Sequence, residues 1–168
     1  MMQIKRSRDR TIMIVALKGA TMFRHILIPT DGSPVSARAV KAGIAFAKAT
    51  GAKVTGYCAL EPVYAQIYGE GYMMAGKSIA QMDKRARQVG ERHVAAIGKT
   101  AKAAGVPFRG HVSKADSPHA GIVAAAAQKH CDLIFMASHG RRGIARLMMG
   151  SVAQKVLTHS RVPVLVYR

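Results

Sequence analysis

The chain has 168 residues, 49% of them hydrophobic and 5% aromatic, with two cysteines and no tryptophan. That length is one domain's worth, large enough to bury a core without disulfide or metal staples, and the composition excludes a disordered chain. Twenty-six Lys and Arg against eight Asp and Glu leave a formal charge of +18, which favours encounter with polyanions but does not specify a fold.

Residues 1–21 form a basic N-terminal extension with five Lys or Arg against one Asp. Its apolar run, Ile12 to Leu17, is six residues long. That is too short for a membrane span and for the ~7–15-residue core of a signal peptide. Met22 follows at what reads as the start of the domain. The extension is expected to be dispensable, a mis-assigned start, with a basic surface-binding tail as the alternative. No later segment reaches ~18 continuous apolar residues, so no membrane span is expected. Cys58 and Cys131 lack C-x-x-C spacing, which points to a reducing, cytoplasmic setting.

From Met22 onward strand and helix patterns alternate. "HILIP" (25–29) is a short apolar run, followed by "TDGSP", in which Ser33 and Pro34 make an N-cap and first-turn pair. Ala37, Val40, Ile44 and Ala47 then recur at helical spacing up to Gly51. "KVTGYCAL" (53–60) is the second strand, and residues 61–77, with Pro, Gly and three Tyr, read as a loop. A long helix carries Ile79, Met82, Ala86, Val89, Ile97, Ala101 and Ala104 on one face and ends at Gly105.

"VPFRGHV" (106–112) is the third strand. Ser117-Pro118 repeats the capping pair before a helix that buries Ile122, Val123, Ala126 and Ala127. "DLIFMAS" (132–138) is continuously apolar, as a strand covered on both faces should be. After "SHGRRGIARLMMGS" (138–151) come a helix with "VAQKVLTH" and a last strand "VPVLVY" (162–167). Strict alternation predicts an α/β domain with a mostly parallel five-stranded sheet. Ligands of such sheets bind beyond the carboxyl ends of the strands, where strand order reverses.

Two loops have that address. After the fourth strand, Gly140 permits a close backbone turn, and Gly150-Ser151 opens a helix whose first N–H groups attract anions. Arg141, Arg142 and Arg146 lie between them and can add charge-assisted contacts. The plainer reading of these residues is turn punctuation and solvated arginines. After the first strand, Asp31 can accept hydrogen bonds from ribose hydroxyls or serve as an Asx-turn residue.

Taken together, "ILIPTDGSPVSARAVKAGIAFAKATGAKV" and "DLIFMASHGRRGIARLMMGSVAQKVLTHSRVPVLV" resemble the universal stress protein family, over residues 22–168. The ATP-binding branch of that family carries G-x2-G-x9-G-[ST] after its fourth strand. Here the frame falls on Ala137, Gly140, Gly150 and Ser151, so alanine replaces the first glycine and Gly143 lies outside the pattern. The resemblance implies a Rossmann-like (adenine nucleotide alpha hydrolase-like) three-layer sandwich. It also implies ATP as ligand, with Mg2+ or Mn2+ riding on the phosphates.

By the same resemblance, Pro29, Thr30 and Asp31 line the ribose side and Ala59 presents backbone groups to the adenine edge. Met136 and Ala137 form the wall beneath the nucleotide. Gly140, Gly150, Ser151 and Val152 surround the phosphates. The last strand, within 162–168, pairs two copies into a homodimer, which also covers an apolar edge that would otherwise be exposed. The implied role is a nucleotide-binding regulatory module in a stress response. A family dimer that works through protein contacts without nucleotide is a second reading, carried by Ala137.

A basic nucleic-acid binder is the third reading, set back by basic residues spread along the chain and by the lack of an RNP1-type aromatic motif. None of the seven histidines is spaced H-x3-H, so no metal site built from side chains is expected. There is no G-x-S-x-G elbow and no P-loop lysine. Asp132, the nearest acid in sequence, belongs to the far end of the strand. Nucleotide binding without fast turnover is therefore expected, and no catalytic residue is assigned.

Overall fold

The computed structural model describes residues 22–61, 76–140 and 149–168. The predicted N-terminal extension, most of the loop at 61–77, and Arg141, Arg142, Gly143 and Arg146 lie outside the described residues. Nine elements follow in order: β1 (His25–Pro29), α1 (Pro34–Thr50), β2 (Lys53–Leu60), α2 (Gly76–Ala104), β3 (Phe108–Lys114), α3 (Pro118–Gln128), β4 (Leu133–Ala137), α4 (Ser151–His159) and β5 (Val164–Tyr167).

The five strands form one sheet of order β3-β2-β1-β4-β5. Every pairing is parallel, so the sheet is wholly rather than mostly parallel. The chain steps outward from β1 to β2 and β3, then crosses to the other side of β1 for β4 and β5. The order therefore reverses between β1 and β4, the two most buried strands. Alternation of side chains along each strand divides the core. Ile26, Ile28, Leu133 and Phe135 share one cluster with Val40, Ile44, Ile97 and Ala101 of α1 and α2. Leu27, Ile134 and Met136 share the other with Ile122 and Ala126 of α3 and Ala153 and Val156 of α4. Two helices on each face give the three-layer architecture.

Local signals explain the helix ends. Ser33 accepts the Ser36 N–H at 3.2 Å, and Pro34 occupies the first turn. Gly51 closes α1 in the left-handed region at φ 70, its N–H reaching the Lys48 carbonyl. Ser117 sits at the N-cap of α3 but makes no capping hydrogen bond; its hydroxyl pairs with His119 Nδ1 at 2.9 Å. On α2, Val89 is exposed, and the line that reaches the sheet runs through Gly90, Val94, Ile97 and Ala101. On α3 the buried alanines are Ala125 and Ala126, leaving Ala127 in solvent.

Two strand boundaries differ from the pattern reading because of proline. Pro107 has no N–H to donate, so its carbonyl accepts from Val54 at 2.8 Å and β3 proper begins at Phe108 and runs to Lys114. Pro163 likewise only accepts, from Ile134 at 3.0 Å, and β5 begins at Val164. Among the described residues, no helix is long and apolar enough to cross a membrane.

Candidate functional site at the carboxyl ends of β1 and β4

The β1–α1 loop is held by its own polar side chains. Asp31 Oδ1 accepts the Ser33 N–H at 2.9 Å, an Asx turn, and Thr30 Oγ1 accepts the Gly32 N–H at 3.1 Å. The Thr30 N–H reaches across to the Tyr57 carbonyl at 2.8 Å, and its hydroxyl pairs with Ser36 Oγ at 3.1 Å. Pro29 ends β1 opposite Tyr57 and is buried. Asp31 thus fills the Asx-turn role read from sequence, and its second oxygen is directed across the sheet toward β4. A Cβ built on Gly140 would lie 2.7 Å from Asp31 Oδ2. Glycine at 140 is what lets the two loops approach this closely.

The second loop leaves from Ser138 and returns to it. The Ser138 N–H binds the Tyr167 carbonyl at 2.8 Å, and its own carbonyl accepts the Gly150 N–H at 2.9 Å. Residues 138 and 150 therefore close the loop at its base, beside the strand ends. A Cβ on Gly150 would lie 3.0 Å from the Ser138 carbonyl oxygen and 3.3 Å from His139 Cα, which accounts for glycine there. The Gly150 N–H is already spent on Ser138, so it is not among the donors offered to a ligand.

The donors lie one step further on. Gly150 is the N-cap of α4 and supplies no side-chain cap. Its carbonyl takes the first helical bond, from Gln154 at 3.0 Å. By helix geometry the N–H groups of Ser151, Val152 and Ala153 have no acceptor within α4. N–H groups so placed, at the positive end of a helix dipole, favour an anion. Ser151 is exposed beside them with its hydroxyl.

Ala137, in place of the glycine of the family frame, ends β4 opposite Tyr167 and is 7% exposed. Among the described non-glycine residues only His130 has positive φ, so the position asks for no left-handed backbone and accepts alanine without strain. The Met136 side chain is buried in the α3–α4 core cluster, against which Val152 also packs. Met136 is thus part of the core at the carboxyl end of β4. Ala59 lies one strand further out on β2, opposite Ser113 and partly buried. Arg141 lies outside the described residues.

Sequence reasoning missed Ser138, whose main chain ties both loop ends together and whose hydroxyl pairs with His139 Nδ1 at 3.0 Å. Serine after a strand carries no distinguishing signal. Asp132 lies at the opposite end of the sheet, where it accepts the Arg24 and His25 N–H groups at 2.8 and 3.0 Å. No cluster of three or more His, Cys, Asp or Glu suited to a metal ion occurs among the described residues. The fold and these loops define a doubly wound α/β protein whose strand order reverses between β1 and β4, the place where open α/β sheets take ligands.

Comparison with known proteins resolves that class further. The universal stress protein family profile matches residues 22–168, and the chain belongs to that family. It is 31% identical over 152 residues to a universal stress protein of Methanocaldococcus jannaschii, MJ0531, covering 89% of this chain and 85% of that one. The solved structure of protein MJ0577 superposes with a TM-score of 0.73 at 24% identity, covering 86% of this chain and 95% of the other. A universal stress protein solved in complex with cAMP superposes at 0.60 with 25% identity, over 87% and 97% of the two chains. Another from Archaeoglobus fulgidus, in complex with dAMP, superposes at 0.57 with 17% identity, over 88% and 99%.

Proposed function

We propose that this protein binds an adenine nucleotide, ATP in the first instance, in the cleft between β1 and β4, and acts as a nucleotide-responsive module in a stress response. The single observation that carries this reading is the close approach of the Gly140 main chain to Asp31 Oδ2, which brings the β1–α1 loop against the segment that leads from β4 toward α4. In this reading Asp31 accepts hydrogen bonds from the ribose, the strand-end backbone at Ala59 meets the adenine edge, and Ser151 and Val152 donate to the phosphates. Pro29, Thr30 and Ala137 shape the floor, and Arg141 adds charge. A divalent ion, Mg2+ or Mn2+, rides on the phosphates rather than on side chains. The cAMP and dAMP complexes of related proteins support an adenine ligand.

In this reading the residues around the cleft bind and orient, none is assigned to proton transfer, and turnover is slow at most. A homodimer through β5 belongs to the same proposal. Leu165 and Tyr167 pack against one core cluster and Val164 and Val166 against the other, so both faces of β5 are covered, while among the described residues its outer edge has no partner strand. A second copy's β5 satisfies that edge. The setting proposed is the cytoplasm.

The test is direct. The purified full chain is denatured and the supernatant chromatographed for nucleotide, and the emptied protein is then titrated calorimetrically with ATP and Mg2+. Adenine nucleotide in the supernatant or saturable binding supports the reading; neither, in a folded preparation, overturns it. Light scattering on the same sample reads the dimer.

A further inference from the structure

α2 contributes to this site, and nothing in the family frame or in the strand-end loops assigns it a part. The contact is His93. Gly32, in the turn that carries Asp31, has φ +78, and the place a Cβ would take is filled by the His93 ring. Its Nε2 and Cε1 lie nearest that point, with Cδ2 at 2.7 Å. The imidazole is therefore seated against the Gly32 main chain with Nε2 foremost. Its position is set by the fit of α2 on the sheet. One turn earlier Gly90 approaches β2 so closely that a Cβ there would lie 2.9 Å from Leu60 Cδ2, and Val94 beside it is 6% exposed.

The turn is thus bounded on two sides. His93 prevents Gly32 from swinging toward α2, and the Gly140 main chain stands against Asp31 Oδ2 on the β4 side. Within the turn, the Thr30 and Ser33 hydrogen bonds fix its shape but not its position relative to the cleft. We propose that His93 is a positioning residue that sets the site's selectivity for a ribose bearing hydroxyls, by holding the Gly32 turn so that the Asp31 carboxylate meets the sugar. The proposal rests on the nucleotide reading above and adds to it a residue from a different helix.

The experiment measures two affinities on the full chain, for ATP and for 2′,3′-dideoxy-ATP, which keeps the base and phosphates but lacks both ribose hydroxyls. A hydrogen bond to a carboxylate corresponds to about tenfold in affinity, so the wild type prefers ATP by about tenfold or more. In His93→Ala the preference falls toward one while binding of the dideoxy nucleotide is retained. Asp31→Asn gives the same collapse. His93→Gln, which keeps a polar group near the Nε2 position, restores part of the preference.

A His93→Ala protein that keeps the wild-type preference overturns the proposal. So does one that loses both ligands in equal measure, since that is loss of general structure, checked by its melting temperature. If the wild type binds neither nucleotide, the functional reading falls and this inference with it. If the wild type binds both without preference, Asp31 does not read the sugar and only the inference falls.

Discussion

Asp31 and Gly140 meet across the gap between β1 and β4, where a Cβ on Gly140 would lie 2.7 Å from Asp31 Oδ2. The two residues are far apart in sequence and become neighbours because β1 pairs with β4 at the point where strand order reverses. Gly140→Ala places a methyl group against the carboxylate. Because Gly140 is exposed, the chain has room to shift, and the melting temperature should change little. Nucleotide affinity should fall by about tenfold, the value of one displaced charge-assisted hydrogen bond. Calorimetric titration of wild type and variant checks both halves.

Gly150→Val should behave differently. Its side chain meets backbone, the Ser138 carbonyl oxygen at 3.0 Å and His139 Cα at 3.3 Å, so no rotamer change relieves it. The hydrogen bond that closes the loop base is lost with the shift, and the first turn of α4 moves. A stability loss of about 1–3 kcal/mol in denaturant unfolding is expected, together with loss of nucleotide binding. Unchanged binding in this variant would place the phosphate site elsewhere.

Stability should fall on acidification below the ordinary histidine range. Burial, with Lys53 second, lowers the pKa of His25 from its usual 6.5, and burial with Lys129 second lowers that of His111. His25 Nε2 pairs with Thr55 Oγ1 at 2.8 Å, and His111 Nε2 is buried with no hydrogen-bond partner among the described residues. Below pH 6.5 the unfolded chain therefore binds protons that the folded chain refuses. The stabilisation is complete above that pH and is lost as pH falls toward the lowered folded values. Melting temperatures from pH 7.5 down to 5 should decline, less steeply in a His111→Gln protein.

The thiols should be unreactive until the chain unfolds. Cys131 is 4% exposed and burial pushes its pKa up to about 11, so the nucleophilic thiolate is scarce at neutral pH. Cys58 is 6% exposed on β2. A disulfide reagent should titrate both groups in denaturant and react slowly with the native protein. Rapid reaction of Cys131 at pH 7.5 would contradict this packing.

Much of the fold is legible in the chain because its signals are local. Ser33-Pro34 and Gly51 mark α1 by capping chemistry, and the unbroken apolar run of β4 marks a strand covered on both faces. Proline moved two strand starts, at 108 and 164, since a residue without an N–H can accept in a ladder but not donate. The candidate site is legible in its endpoints, Asp31, Gly140 and Gly150. What closes it is long-range: the Ser138 main chain that binds Gly150, and the His93 ring on Gly32. Neither serine after a strand nor histidine in a helix announces such a contact, because each depends on how the layers pack.

The most direct measurement is the melting temperature of the full chain with and without ATP and Mg2+. A ligand that binds only the folded state at a hundredfold excess over its dissociation constant adds about 2.7 kcal/mol, several degrees for a domain of this size. Adenine-nucleotide binding at the N-terminus of α4 predicts a rise in the wild type at millimolar ATP and none in Gly150→Val. An unchanged wild-type melting temperature at millimolar ATP would contradict it.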